Sequence, residues 1–250
     1  MTPILETDSL VCRFGGLVAT NDVSLKLNEG ARHALIGPNG AGKTTFINLL
    51  TGALKPTSGT IRLEGVDVTR EPAHKRAARG MSRTFQINQL FADLTPLETV
   101  TFAVLERQNH GIDPFRSVAG HRAEIDEAAS ILERFRLGDV MDWKTSDLPY
   151  GKQRLLEIAV AIAAKPKVLL LDEPAAGVPE EERHEILDMV NGLPKSVAVL
   201  LIEHDMDLVF SFAERISVLV QGALLVEGTT EEVANDPAVR TAYLGEDADE

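Results

Sequence analysis

Cysteine is almost missing: Cys12 stands alone among 250 residues. One thiol can make neither an internal disulfide nor a cysteine-rich zinc site, which fits a reducing compartment. Long apolar runs are missing too. A membrane-spanning helix needs about 18 uninterrupted apolar residues, and the most apolar stretch, Leu155 to Leu171, is broken by Glu157, Lys165 and Lys167. If the chain works at a membrane, another protein must hold it there. The opening residues, MTPILETDSLVCRFGG, lack the basic stretch and apolar core of a signal peptide. Positive charge is in the minority: 25 Lys and Arg face 38 Asp and Glu, a formal charge of -13. A surface of that sign repels phosphate backbones, so no nucleic-acid partner is expected. There is no internal repeat and no low-complexity tract.

What is present is an ordinary globular balance, 44% hydrophobic and 25% charged, enough for one large domain or one domain with an inserted lobe. The first third reads as short strands with tight turns: Leu10–Arg13, Ser24–Leu27, Arg32–Ile36 and Thr60–Leu63, the last followed by a Glu64-Gly65 turn. Between them, Thr45, Phe46, Leu49 and Leu50 recur at helical spacing until Gly52. From about Thr95 to Ala164 the pattern is helical, with segments near 97–108, 121–136 and 152–164. The last third alternates buried strands (Val168–Leu171, Val197–Ile202, Ile216–Val220) with helices near 180–190 and 205–213. Such alternation predicts an α/β fold with a mostly parallel sheet. The expected division is a sheet-bearing core over about 1–87 and 165–250, with an inserted helical lobe over about 88–164.

The most specific feature is Gly37-Pro-Asn-Gly-Ala-Gly-Lys43-Thr44, a full match to G-x-x-x-x-G-K-[ST]. Glycines let a backbone wrap closely around phosphates, and the following helix turns its positive end toward them. Lys43 offers a point charge for the β- and γ-phosphates, and the Thr44 hydroxyl suits Mg²⁺. The predicted cradle runs through Gly37, Pro38, Asn39, Gly40, Ala41, Gly42, Lys43, Thr44 and Thr45. Well downstream, Val168-Leu-Leu-Leu-Asp172-Glu173-Pro174 is a buried strand ending in two carboxylates. Asp172 is expected to hold Mg²⁺ through water, and Glu173 to polarise the attacking water as general base.

With these motifs in this order, the chain resembles the ATP-binding cassette (ABC) family over nearly its whole length. Leu148-Pro-Tyr-Gly-Lys-Gln153 resembles the family signature, which caps the γ-phosphate bound by an opposing subunit; Gly151 and Lys152 are the matching residues. Gln86 matches the glutamine that reaches the metal and the hydrolytic water, and His204 the histidine that contacts the γ-phosphate. Phe14 falls where the family stacks an aromatic ring on adenine, although a core position is the rival reading. The remaining histidines (33, 74, 110, 121 and 184) read as surface or packing residues. The resemblance is closest to the branched-chain amino-acid uptake group, through Phe14-Gly-Gly-Leu, Arg83-Thr-Phe-Gln, Leu-Glu-Ile-Ala, Asp-Glu-Pro-Ala-Ala-Gly, Ile-Glu-His-Asp-Met-Asp and Ala-Tyr-Leu-Gly. This implies the ABC ATPase fold, with an antiparallel N-terminal β subdomain and an inserted helical subdomain. It also implies ATP and Mg²⁺ as cofactors and a second ATPase subunit, in a hetero- or homodimer. Two membrane permeases, and indirectly a periplasmic solute-binding protein, complete the implied assembly at the cytoplasmic face of a bacterial inner membrane. Uptake of urea or amides, lipopolysaccharide export, a non-transport ABC ATPase and a regulatory cassette are the competing readings.

Two positions depart from the family pattern. Pro149 stands where the signature carries serine, and Pro179 where the loop after Asp172-Glu173 carries Asp or Asn. Proline has neither hydroxyl nor N–H, so a hydrogen bond to the opposing nucleotide is lost; Lys152 is expected to supply positive charge in its place. Ile87, Leu90, Phe91 and Leu94 read either as core or as an apolar docking surface for a permease helix.

Overall fold

Alternating burial along the first two strands builds the N-terminal sheet. β1 (Leu5–Phe14) and β2 (Leu17–Leu27) form a hairpin that turns Leu5, Leu10 and Cys12, with Val23, Leu25 and Leu27, into the core. The buried Thr7 hydroxyl is satisfied by donating to Val23 O and accepting from Leu25 N. β4 (Ser58–Leu63) and β5 (Val66–Asp67) complete an antiparallel sheet in the order β2-β1-β4-β5. The Glu64-Gly65 turn has both residues at positive φ, the geometry that a tight hairpin needs.

The computed structural model describes residues 3–84, 90–108 and 121–244. Its second sheet has the order β10-β9-β3-β8-β7-β6, from β3 (Arg32–Ile36), β6 (Met81–Arg83), β7 (Val168–Asp172), β8 (Ala198–Ile202), β9 (Arg215–Val220) and β10 (Ala223–Gly228). β3 lies parallel to β8 and β9, and β7 parallel to β8; only the β9–β10 pair is antiparallel among the pairings described. Every residue of β3, β7 and β8 is buried, which suits the apolar runs Ala34–Ile36, Val168–Leu171 and Ala198–Ile202 within them. The parallel arrangement brings the carboxyl ends of β3, β8 and β7 to one edge of the sheet.

Contacts divide the chain into two compact units: Met1–Met81, Lys167–Glu173 and Pro194–Glu250 in the first, Ser82–Pro166 and Pro174–Leu193 in the second. The first carries both sheets with α1 (Lys43–Thr51), α2 (Ala73–Ala78), α7 (Met206–Phe212), α8 (Thr230–Asn235) and α9 (Pro237–Leu244). The second is helical: α3 (Pro96–Arg107), α4 (Arg122–Arg134), α5 (Tyr150–Ala163) and α6 (Glu180–Asn191). α3 starts at a capping box, Thr95 accepting from Glu98 N and Glu98 accepting from Thr95 N. This division by contacts does not run along the bounds expected from the sequence. Residues 174–193 group with the helices and not with the sheet core, because α6 buries Ile186, Leu187 and Val190 and packs beside α5.

Candidate active site

Residues 37–42 join β3 to α1, and their path is set by close backbone approaches. Gly37 has φ 154, and a methyl group on it would overlap Leu219 O of β9; Gly42, at φ 99, faces Ala19 O in the same way. No side chain fits at either position. Gly222 N donates to Ala41 O at 2.8 Å, tying the loop to the β9–β10 turn. Lys43 Nζ lies across the loop mouth, donating to Gly37 O and to Pro38 O at 3.0 Å. Helix α1 has no acidic residue in its first turn and no side-chain cap, so no carboxylate of that turn opposes an anion at its positive end. Thr44 is exposed at that terminus and Thr45 half-buried.

The far end of α1 holds a residue that sequence reasoning passed over. Arg76 is buried and donates to Leu49 O and Leu50 O, both at 2.6 Å, and to Thr69 O and Glu71 O, both at 3.0 Å. A cation at a helix C-terminus complements the dipole there and satisfies carbonyls that the helix leaves open. The six-residue α2 that carries Arg76 is too short to show a helical period, so no signal marked it.

At the same sheet edge, β7 ends in Asp172, 4% exposed, followed by Glu173 at φ 49 with its N–H on Ile202 O at 2.9 Å. A non-glycine residue held in the left-handed region is strained, a condition that gathers at functional sites. His204 follows β8, and its Nδ1 stands 3.9 Å from Glu173 Oε1. That separation is too long for a hydrogen bond between the two side chains. The segment around His204 divides its tasks. Buried Glu203 accepts from His204 N at 3.2 Å and lies 3.8 Å from Nδ1, while Asp205 caps α7 through Asp207 N and Leu208 N. His204 itself is 67% exposed. Phe14 is 49% exposed at the tip of the β1–β2 hairpin, which removes the core reading.

With this geometry in view, the comparisons decide the family. The family described as ABC transporter matches residues 20–176, and the one described as branched-chain amino acid ATP-binding cassette transporter matches residues 223–249. The high-affinity branched-chain amino acid transport ATP-binding protein BraF of Pseudomonas aeruginosa is 43% identical, with 98% of each chain covered. This chain belongs to the ABC transporter ATPases, in their branched-chain amino acid group. LivG of Escherichia coli K12, described in the same words, is 42% identical over 98% of both chains. The solved ADP conformation of an ATP-binding cassette of an ABC transporter superposes with a TM-score of 0.84 at 32% identity, covering 98% of this chain and 100% of the other. The chain is therefore an ABC subunit that binds ATP and couples its hydrolysis to transport. No helix among the described residues is long and apolar enough to cross a membrane.

The segment that resembles the family signature lies in the helical unit of this ABC ATPase. Pro149 is the N-cap of α5 and offers no side-chain cap, so Tyr150, Gly151 and Lys152 form the first turn of that helix. Lys152, expected to supply positive charge in place of the missing serine hydroxyl, pairs its Nζ with Asp139 at 2.8 and 2.9 Å. Gln86 and Ile87 lie outside the described residues.

β3 also carries His33, one of the histidines expected at the surface or in packing. His33 is buried, and its Nε2 lies 2.8 Å from Ser217 Oγ, which donates to Glu227 Oε2 at 3.1 Å; Arg215 pairs with the same glutamate at 3.0 Å. Burial pushes the imidazole down to about 4, with Glu227 opposing the shift and Arg215 adding to it.

Proposed function

We propose that this subunit binds MgATP across residues 37–45 and that hydrolysis waits for a second ATPase subunit to cover the nucleotide. The observation that carries the reading is the facing pair of Glu173 and His204, 3.9 Å apart, on the sheet edge that also bears Lys43 and Asp172. Nucleotides bind at that edge in parallel-sheet folds. Glu173 draws a proton from the attacking water, and His204 meets the γ-phosphate. Phe14 offers its exposed ring to adenine. Thr44 and Asp172 suit Mg²⁺: both give hard oxygen donors, and no cluster of three or more metal-binding side chains competes among the described residues. Mg²⁺ held by these two residues would neutralise phosphate charge. Gln86 is assigned to the metal and the water by its motif alone.

The covering subunit contributes its signature to this cradle, as Gly151 and the α5 N-terminus contribute to the partner's. The assembly takes in branched-chain or related hydrophobic amino acids through two permeases, fed by a periplasmic solute-binding protein, with this chain on the cytoplasmic face of a bacterial inner membrane. Phe91, 67% exposed, supports a docking role over a core role for its segment, and Trp143, 51% exposed, adds a second apolar group in the helical unit. Because Pro149 and Pro179 remove polar side chains only from what this subunit offers its neighbour, the reading includes asymmetry: the site on this chain's own cradle is the more competent one.

Glu173→Gln tests the core of the reading. Turnover should fall about 10²–10⁴-fold while ATP binding persists and a closed dimer accumulates. Monomers under saturating ATP, or a dilute lone subunit as active as the full assembly, would refute it. For asymmetry, the Lys43→Ala change should cost more activity than its equivalent in the partner, and equal losses would count against it.

A further inference from the structure

Within the helical unit, two segments are keyed together by a reciprocal exchange. The loop from Pro174 to Pro179 leads into α6, and the signature leads into α5. Gly177, at φ 76, lies so close to the Tyr150 ring that a methyl group on it would stand 3.1 Å from Cε1. In the opposite direction, a methyl group on Gly151 would overlap the carboxylate of Glu182, in the first turn of α6. Each segment thus offers a bare glycine to a side chain of the other. The Arg154 guanidinium lies over the Tyr150 ring, 5.1 Å from its centre. Arg154 is only 3% exposed and donates to Glu157 Oε2 at 2.7 Å, which anchors the stack one turn down the same helix. The loop is gripped once more where Arg183 Nε donates to Val178 O at 2.9 Å.

We propose that Tyr150 is a positioning residue for ATP hydrolysis at the opposing site. Its ring meets both Gly177 and Arg154, so the signature terminus and the loop after Asp172-Glu173 meet the partner's nucleotide as one face. This rests on the reading above, that the α5 N-terminus is offered to a second subunit. It follows from the two prolines. Pro149 and Pro179 supply no side-chain hydrogen bond, so what remains at the start of α5 is backbone N–H, whose aim depends wholly on where the backbone is held. Misplacing such groups by about 1 Å can cost up to about a hundredfold in rate.

The test uses the assembled transporter, with kcat and KM for ATP measured for Tyr150→Phe, Tyr150→Ala, Gly177→Ala and the Gly177→Ala/Tyr150→Ala double variant. ATP binding to the isolated chain serves as the control for folding. The expected pattern is a loss of about ten- to a hundredfold in kcat for Tyr150→Ala, near-normal kcat for Tyr150→Phe, and unchanged ATP binding by the isolated chain. The double variant should lose no more than the worse single one, since both act through one contact. Full turnover in Tyr150→Ala, a loss in Tyr150→Phe as large as in Tyr150→Ala, or losses that multiply in the double variant would each overturn the proposal. If Tyr150→Ala abolishes ATP binding by the isolated chain, Tyr150→Leu, which keeps bulk without a planar face, takes its place under the same criteria. A Lys43→Ala chain that still bound ATP normally would instead refute the nucleotide assignment, whatever Tyr150 does.

Discussion

The glycines of the phosphate cradle and those of the signature region do the same job against different neighbours. Gly37 and Gly42 face backbone carbonyls of Leu219 and Ala19, whereas Gly151 and Gly177 face the side chains of Glu182 and Tyr150. A carbonyl in a paired strand cannot step aside without breaking the sheet, but a carboxylate at the end of a flexible chain can. The loop over residues 37–42 is therefore held by backbone, while the start of α5 is packed against side chains that can adjust. The chain's departures from the family pattern, Pro149 and Pro179, fall on the adjustable side.

That contrast can be broken by measurement. The largest effect belongs to Gly37→Ala: left-handed strain and the clash with Leu219 O should cost about 3 kcal/mol or more and abolish ATP binding, read by urea unfolding and nucleotide titration. Next is a pH effect confined to the sheet unit. His33 is neutral when folded until about pH 4 but takes a proton near pH 6.5 when unfolded. The unfolded state thus binds more protons in that window, and stability is full above pH 6.5 and falls as pH drops toward 4. The expected loss is about 3 kcal/mol, and a His33→Gln variant should show a flatter slope in unfolding experiments at pH 7 and 4.5. Gly151→Ala should be milder, within about 1 kcal/mol of the parent, because Glu182 can rotate and a helix favours Ala over Gly. A loss as large as that of Gly37→Ala would erase the distinction drawn here.

The smallest effect is in the helical unit. Glu127 is held by Arg107 at 3.0 and 2.8 Å and by Lys165 at 2.9 Å; chiefly the Arg107 hydrogen bonds lower its carboxyl to about 2. Its contribution is present above the usual carboxylate range and fades as pH falls toward 2, a lower window than that of His33. The pair is partly exposed, so Glu127→Gln should cost about 0.5–1 kcal/mol at pH 7, read as a small shift in urea midpoint.

Much of this was legible in the residues. Arg32–Ile36 is a strand with the expected ends, and Val168–Leu171 and Ile216–Val220 were short by one residue each. Fully buried parallel strands announce themselves as apolar runs. β1 and β2 were only half seen, because their outer faces are polar and irregular register breaks the alternation. Elements α2, β5, β6, β10, α8 and α9 were not anticipated; most span six residues or fewer, below the length at which a period shows. For α8 a signal did exist, since Thr229 and Glu232 form a capping box.

Spacing and residue type alone gave the glycine-rich G-x-x-x-x-G-K-[ST] loop, the two carboxylates closing a buried strand and the near absence of thiol chemistry, because each depends on a local string whose chemistry is carried by its own atoms. Only the folded chain decided that Lys152 is bound to Asp139, that Phe14 is exposed, that residues 174–193 join the helices, and that Arg76, His33 and Tyr150 have partners distant in sequence. Those outcomes depend on long-range contacts formed when strands and helices pack, and a one-dimensional pattern holds no record of which distant side chain arrives.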